Sequence, residues 1–279
     1  MKLNDGHELN AGYEQTAEQK LNRYMRAERS LSILYPRTCP VCGKLLKIKR
    51  DDIVSPGNPF ICWSCDGKLD RLADVPRCLR CSKPIDDPEE EYCRDCLKKE
   101  RHFDLGFAPL LHNEVAREIM YDLKYRGLKC NADFAAYEMV RALIGSGGDI
   151  CRNPFLEVDA IIPVPLHAKR KFERGYNQAA LIAKRFEFFL ELAGHDPIPV
   201  DENYLVRGKS SERLKEMSGS ERVAALSGVF SVSGEPNKYR KVLIVDDIFT
   251  TGATLNECAK TLRHAGASVI YFMTATIGN

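Results

Sequence analysis

Val242-Leu243-Ile244-Val245-Asp246-Asp247-Ile248-Phe249-Thr250-Thr251-Gly252-Ala253-Thr254 is the stretch on which the reading of this chain turns. Four apolar residues in a row, three of them β-branched, predict a strand covered on both faces, as in a parallel sheet. Such a strand does not ordinarily end in two adjacent carboxylates unless they face a site. The Thr250–Thr254 turn that follows offers hydroxyls, small side chains and accessible backbone N–H groups. Thr254 with Glu257 fits a capping box, which predicts that a helix opens here. The free N–H groups of a helix start form a phosphate cradle. Carboxylates that accept hydroxyls beside a turn that holds a phosphate suit a sugar phosphate. The competing reading is an ordinary buried strand and turn of an α/β fold.

The chain has 279 residues, room for one large domain or two modest ones. At 44% hydrophobic and 29% charged it reads as a soluble globular protein without a transmembrane run. Its polar first 30 residues have no apolar core of the kind a secretory signal needs. A formal net charge of only +2 gives bulk electrostatics no case for strong nucleic-acid binding.

Eight of the 11 cysteines form CxxC pairs: Cys39/Cys42, Cys62/Cys65, Cys78/Cys81 and Cys93/Cys96. Cys130, Cys151 and Cys258 stand alone. With no secretory signal, paired thiols point to metal in a cytoplasmic protein rather than to disulfides. Two CxxC turns close one tetrahedral zinc site, so four turns make two structural sites with no open catalytic position. Sequential pairing gives Cys39/Cys42/Cys62/Cys65 and Cys78/Cys81/Cys93/Cys96. Interleaved pairing would join Cys39/Cys42 with Cys78/Cys81, and the sequential arrangement is favoured because each ribbon is then self-contained. The segment is too poor in apolar residues to build a large core alone, a physical reason for the metal. Trp63, Arg71, Arg77 and Arg80 suit a binding surface, whereas Asp86, Asp87, Glu89, Glu90 and Glu91 oppose DNA on the second hairpin.

The organisation expected is a helical leader over residues 1–35, a double zinc ribbon over 36–101 and an α/β domain over 102–279. In the leader, Glu14–Leu34 reads as a helix with Leu21, Tyr24, Met25, Leu31 and Leu34 on a partial stripe. Strands are expected at Phe103–His112, Val158–Val164, Gly228–Val232, Val242–Val245 and Ser268–Thr276. Helices are expected at Glu114–Tyr125, Asp133–Ile144, Gln178–Ala193 and Leu255–His264, with a flexible Gly145–Gly148 run and a mobile, hood-like Tyr204–Arg222. Alternating strands and helices predict a parallel sheet.

A second constellation starts at Ile161-Ile162-Pro163-Val164-Pro165-Leu166-His167. Lys169, Arg170, Lys171 and Arg174 follow within six positions, then Gly175-Tyr176-Asn177-Gln178 with a helix opening at Asn177. Backbone N–H groups and flexible cations after a proline-stiffened turn suit a pyrophosphate. A solvated basic loop is the plain alternative.

The opening stretch resembles the PRPP-binding motif of type I phosphoribosyltransferases. The CxxC turns, Leu123-Lys124-Tyr125, the Arg174–Gln178 block and the acidic motif, in that order, resemble the ComF family of competence-associated, phosphoribosyltransferase-like proteins from Tyr35 onward. The resemblance implies a type I phosphoribosyltransferase fold, a parallel sheet flanked by helices, behind a small double zinc ribbon. It implies that Thr250, Thr251, Gly252, Ala253 and Thr254 hold a ribose 5-phosphate, and that Asp246 and Asp247 take the ribose hydroxyls and stabilise positive charge on the ring. Arg170 and Arg174 would face the pyrophosphate, with Lys124 reaching the site or covering surface and Mg²⁺ arriving with PRPP. Gly208–Gly219 would form a lid. Between these blocks Arg207, Ser218, Glu221 and Arg222 fit the family pattern, Ser211 keeps the hydroxyl of the family's threonine and Met217 replaces its leucine, but Leu214 and Ala225 stand where it carries amides, so acceptor contacts are the role they affect. The implied biology is DNA uptake beside a helicase and an uptake channel, with single-stranded DNA as a partner and no membrane insertion. Three readings follow: a phosphoribosyltransferase of unidentified acceptor, a PRPP- or nucleotide-binding protein without turnover, and a zinc-ribbon nucleic-acid adaptor.

Overall fold

In the computed structural model of the chain, the described residues are 19–28, 30–31, 33–49, 57–145, 153–208 and 228–278. The strand expected over Phe103–His112 forms as two short pieces, β1 (Leu105–Phe107) and β2 (Leu110–Leu111). The break falls at Pro109, which has no N–H for a ladder; its carbonyl accepts from Leu72 N–H at 3.0 Å. Helix α1 (Glu114–Tyr125) spans the residues expected and is capped by Asn113, whose side chain accepts from Ala116 N–H at 2.9 Å. Helix α2 (Asn131–Gly145) is buried on nearly every side. Then come β3 (Ala160–Pro163), α3 (Ala168–Arg174), α4 (Gln178–Leu192), β4 (Leu205–Arg207), β5 (Phe230–Val232), β6 (Lys241–Phe249), α5 (Ala253–His264) and β7 (Val269–Ile277).

The principal sheet is parallel throughout, in the order β1-β7-β6-β3, with β2 also pairing β7 beyond β1. Side chains alternate across it. Leu243, Val245, Met273 and Ala275 join a core with α1, α2 and α4, whereas Val242, Ile244, Phe272 and Ile277 join one with α5 and the β4–β5 hairpin. The chain is thus an α/β protein whose mainly parallel sheet is flanked by helices.

Three local expectations need correction. Strand β6 does not stop at Val245: it stays paired to β7 as far as Phe249 opposite Ile277. Ala168–Arg174 is a helix rather than a loop, with no buried residue to announce it in the pattern. Leu205–Arg207, read as part of a mobile segment, pairs antiparallel with β5. Residues 209–222 of the hood-like segment, including Ser211 and Leu214, lie outside the described residues, as do Ala225, Glu14 and Ser146–Gly148. In the leader, Leu21 and Met25 are buried but Leu31 and Leu34 are exposed, so only the first half of the expected stripe packs.

The cysteines cluster in the sequential arrangement. Cys39, Cys42, Cys62 and Cys65 bring their sulfurs within 4.8 Å of one another, and so do Cys78, Cys81, Cys93 and Cys96. Cys42 and Cys62 lie 3.6 Å apart, as do Cys81 and Cys93. A tetrahedral Zn–S₄ centre has sulfur–sulfur edges of about 3.8 Å. All eight are free thiols, so each cluster is compatible with one structural Zn²⁺.

The ribbons straddle the sheet edge. Between them, Leu111 N–H bonds to Asp70 C=O (2.8 Å) and Arg71 bridges Leu110 antiparallel, which covers the outer edge of β2. The first ribbon's cysteines therefore enter the core with α2 and α4, and the second's enter the core with α5. Arg71 binds Asp66 at 2.5 Å and the fully buried Glu138 of α2 at 2.9 Å. Glu138 also accepts from Arg141 (2.7 Å) and Asn58 (3.1 Å). Burial works to raise its pKa, but Arg71 and Arg141 outweigh it and hold the carboxyl below the usual glutamate range. No helix among the described residues is long and apolar enough to cross a membrane.

Two outcomes follow. Metal analysis should find two zinc ions per chain, and a Cys39→Ser/Cys65→Ser variant should keep one, since both residues serve the same site; interleaved ligation would lose both. Glu138→Gln should cost on the order of 3 kcal/mol at neutral pH by leaving two guanidiniums without their buried partner. A depressed carboxylate stabilises above its unfolded pKa and ceases to as pH falls through the folded one. The gap between wild type and variant in denaturant titrations should therefore close below about pH 4.

Candidate functional site

Pro163 and Pro165 end β3, and the last bond to its neighbour is Val164 N–H to Val245 C=O at 2.9 Å. Beyond Val245, β6 keeps β7 on one side and opens on the other. Asp246 and Asp247 sit on that opening. Asp247 is 2% exposed, yet its carboxylate is well supplied: Lys124 from the last turn of α1 forms an ion pair with it, and Gln178, the first residue of α4, donates to Oδ1 at 3.2 Å. Arg174 in turn donates to the Gln178 amide oxygen. Behind the strand, Thr276 Oγ1 donates to the Asp247 carbonyl (3.3 Å) and contacts His112 Nδ1 at 2.9 Å. Burial, and then Lys124, lowers the pKa of His112.

Asp246 is half-buried and differently treated. One of its oxygens accepts from Asp247 N–H at 2.9 Å, and no cation among the described residues is paired with it. Burial, then the neighbouring Asp247 charge, pushes its carboxyl well above the ordinary range, with Lys124 only partly opposing.

The turn after β6 depends on Gly252. Its φ of +73° is left-handed, and a Cβ there would lie 2.5 Å from the Phe249 ring. That ring cannot yield, because it stacks on Phe272 at 5.0 Å and meets Phe103 edge-on. Helix α5 opens one residue on, with Gly252 as N-cap and no side chain capping it. The Thr254/Glu257 capping box expected from the sequence does not set this start: the helix begins earlier, and Thr251 Oγ1 makes a long contact to Ala253 N–H (3.4 Å). First-turn amides without a cap are available to an anion. Thr250 and Thr251 are exposed at the rim.

Facing the loop is α3, capped by His167 through Lys169 N–H (3.3 Å) and stopped by Gly175 at φ +78°. His167 thus has a local structural role. Arg170, Arg174 and Lys124 line one cleft of about 250 Å³ with Asp246, Asp247 and Thr250–Thr254. Every phosphoribosyl-site residue singled out in the sequence borders this one space.

Arg207 of β4 borders it too, and the motif reading did not single it out as a site residue. Its guanidinium lies over Phe230 (5.4 Å), its Nε is buried with no hydrogen-bond acceptor among the described residues, and burial followed by Arg170 lowers its pKa. Gln178 is the other addition; in sequence it was only the opening of a helix. The cleft therefore combines four cations, two carboxylates on a strand edge and an uncapped helix start. This is a surface for a ligand with several negative charges at two ends and hydroxyls between.

Residues 30–97 match the family model of the double zinc ribbon domain. The chain is 31% identical to "Competence protein F" of Haemophilus influenzae over 74% of its own length and 86% of the relative's. It is 25% identical to "Competence protein ComFC" of Bacillus subtilis, over 76% of this chain and 82% of that one. It is 30% identical to "DNA utilization protein YhgH" of Salmonella typhimurium, over 76% and 94%.

The state of Asp246 makes a stability prediction. A carboxyl whose folded pKa is raised keeps full stability below its unfolded pKa and loses it as pH rises through the folded value. Asp246→Asn retains the acceptor for Asp247 N–H without the charge. It should melt higher than wild type at pH 7–8, by roughly 2–4 °C per kcal/mol relieved, and the gain should shrink toward pH 4. An equal or lower melting temperature at neutral pH would show that the charge carries no burial penalty.

Proposed function

Because this chain belongs to the ComF family of competence proteins, we propose that its cleft binds Mg²⁺-complexed PRPP, or a related phosphoribosyl ligand, in the service of DNA uptake. The observation that carries the reading is the acidic strand edge running directly into a helix start that only glycine can shape, with three guanidiniums opposite. The uncapped first turn of α5 and the Thr250 and Thr251 hydroxyls receive the 5-phosphate. Asp246 and Asp247 accept the ribose hydroxyls. Arg170, Arg174 and Arg207 neutralise the pyrophosphate, and the buried, unpartnered Arg207 Nε supports that assignment.

The unequal treatment of the two acids supports a role beyond binding. Asp247 is paired with Lys124 before any ligand arrives, whereas Asp246 has no paired cation among the described residues. Departure of pyrophosphate from the anomeric carbon leaves positive charge on the ribose ring. A carboxylate held without a counter-ion is stabilised most at that moment, so it lowers the barrier more than it tightens the ground state. Mg²⁺ held on ligand oxygens and waters would neutralise the phosphates; with Asp247 already paired, the two carboxylates are too few for a protein cage.

A second reading has one observation in its favour. Among the described residues lining the cleft there is no histidine or cysteine to act as a general base for an acceptor. This is what a sensor that binds the ligand without turnover needs, with single-stranded DNA and competence helicase or uptake proteins reached through other surfaces. The packing of both ribbons into the cores of the α/β body supports a structural task for their zinc.

Calorimetry with Mg²⁺-PRPP tests the reading on folded, zinc-loaded protein. Wild type should bind, and Asp246→Asn/Asp247→Asn should lose at least tenfold in affinity. A wild type that does not bind removes the phosphoribosyl reading and leaves the ribbon adaptor. If binding is found, pyrophosphate release during an acceptor screen separates enzyme from sensor.

A further inference from the structure

The segment that leaves the second ribbon passes directly beneath the Thr250–Thr254 loop. Asn256, in the first turn of α5, grips this connector from both sides of Arg101: its amide nitrogen donates to Glu100 C=O (3.3 Å) and its amide oxygen accepts from His102 N–H (2.8 Å). Arg263 at the far end of α5 donates to His102 C=O at 3.1 Å and binds Asp104 at 2.5 Å. Phe103 is buried between, against Phe249 and Phe272. The backbone at Arg101 is thereby fixed relative to α5.

From this fixed point Arg101 reaches the loop. Its Nη1 donates to the Thr251 carbonyl at 3.2 Å. A Cβ on Gly252 would stand 3.2 Å from the same nitrogen, so the guanidinium lies against the left-handed residue itself. The Nε and Nη2 atoms are buried and have no hydrogen-bond acceptor among the described residues.

We propose that Arg101 is a positioning residue for the phosphate loop, through which the exit of the second ribbon sets the loop's affinity for a phosphate. This rests on the phosphoribosyl reading of the cleft. The peptide between Thr251 and Gly252 is planar and trans, so its C=O and N–H point in opposite directions. Gripping the Thr251 oxygen fixes the direction of the Gly252 N–H, the residue at which the uncapped helix begins. A cation on the carbonyl also polarises that peptide and strengthens its N–H as a donor. Two further guanidinium nitrogens without acceptors leave positive potential beneath the loop, which a bound phosphate offsets. Arg101 touches no ligand in this scheme; it orients the group that does.

The test is calorimetry on full-length, zinc-loaded protein with two probes, Mg²⁺-PRPP and ribose 5-phosphate. The second carries the 5-phosphate without the pyrophosphate. Arg101→Ala should weaken both by about tenfold, the scale of one charge-assisted hydrogen bond, with two zinc ions retained. Arg101→Lys, which keeps the charge and one donor, should recover part of the loss; a residue that merely filled space would not be rescued in this way. Should the alanine variant fail to fold, Arg101→Lys and Arg101→Gln carry the comparison, with lysine binding the tighter. Wild-type affinity in Arg101→Ala overturns the proposal, as does a loss confined to PRPP, which would put the effect at the pyrophosphate end. If wild type binds neither probe, the phosphoribosyl reading itself fails, and that outcome is separated by the wild-type titration alone.

Discussion

Strand β3 runs out of N–H groups before β6 does. Pro163 and Pro165 cannot donate to a ladder, so β3 ends opposite Val245 while β6 continues beside β7 for four more residues. A parallel sheet buried on both faces offers few places where a carboxylate can meet solvent, and this step in strand length creates one. Asp246 and Asp247 stand on it. The same prolines turn the chain toward α3, bringing Arg170 and Arg174 to the far wall of the cleft, and the end of β6 delivers the chain to the turn that opens α5. The acidic edge, the basic wall and the helix start are three results of one mismatch.

The charge arrangement within that cleft is asymmetric, and the asymmetry has a structural origin. Asp247 points where α1 and α4 converge, so Lys124 and Gln178 reach it; Asp246, one residue earlier on the alternating strand, meets neither. Alternation of side chains thus separates two identical carboxyls into one that is neutralised and one that is desolvated and unpaired. On the opposite wall, Arg207 is similarly short of an acceptor.

Much of this was legible in the sequence because it is written in local patterns. The apolar runs gave the strands, Asn177 marked a helix start, and the CxxC spacing gave two metal clusters in sequential order. The acids, the loop and the basic block were readable as one site because each sits at the end of a patterned element. What escaped notice has in common that its partner is distant along the chain. Glu138 looks like a surface charge in a helix until Arg71 meets it. Helix α3 buries nothing, so it has no period to detect. Arg207 acquires meaning only when β4 pairs with β5 at the cleft wall, and the true start of α5 depends on how Phe249 packs rather than on Thr254 and Glu257.

The ribbons illustrate the limit of modular reading. Their composition argues for a self-contained unit that folds around metal, and a unit of that kind is free to serve as a binding adaptor. The backbone between the two clusters instead completes the edge of the principal sheet at β2, and each cluster contributes its cysteines to a different core. Loss of either cluster would remove apolar packing from one face of the sheet and loosen the edge strand shared by both. The two clusters are not equivalent in what they touch: the first braces α2 and the leader, whereas the second leads within a few residues to Arg101 and the underside of the Thr250–Thr254 loop. The second ribbon thus ends as a wall of the α/β body, and α5 holds its connector at Glu100 C=O and at both the N–H and the C=O of His102.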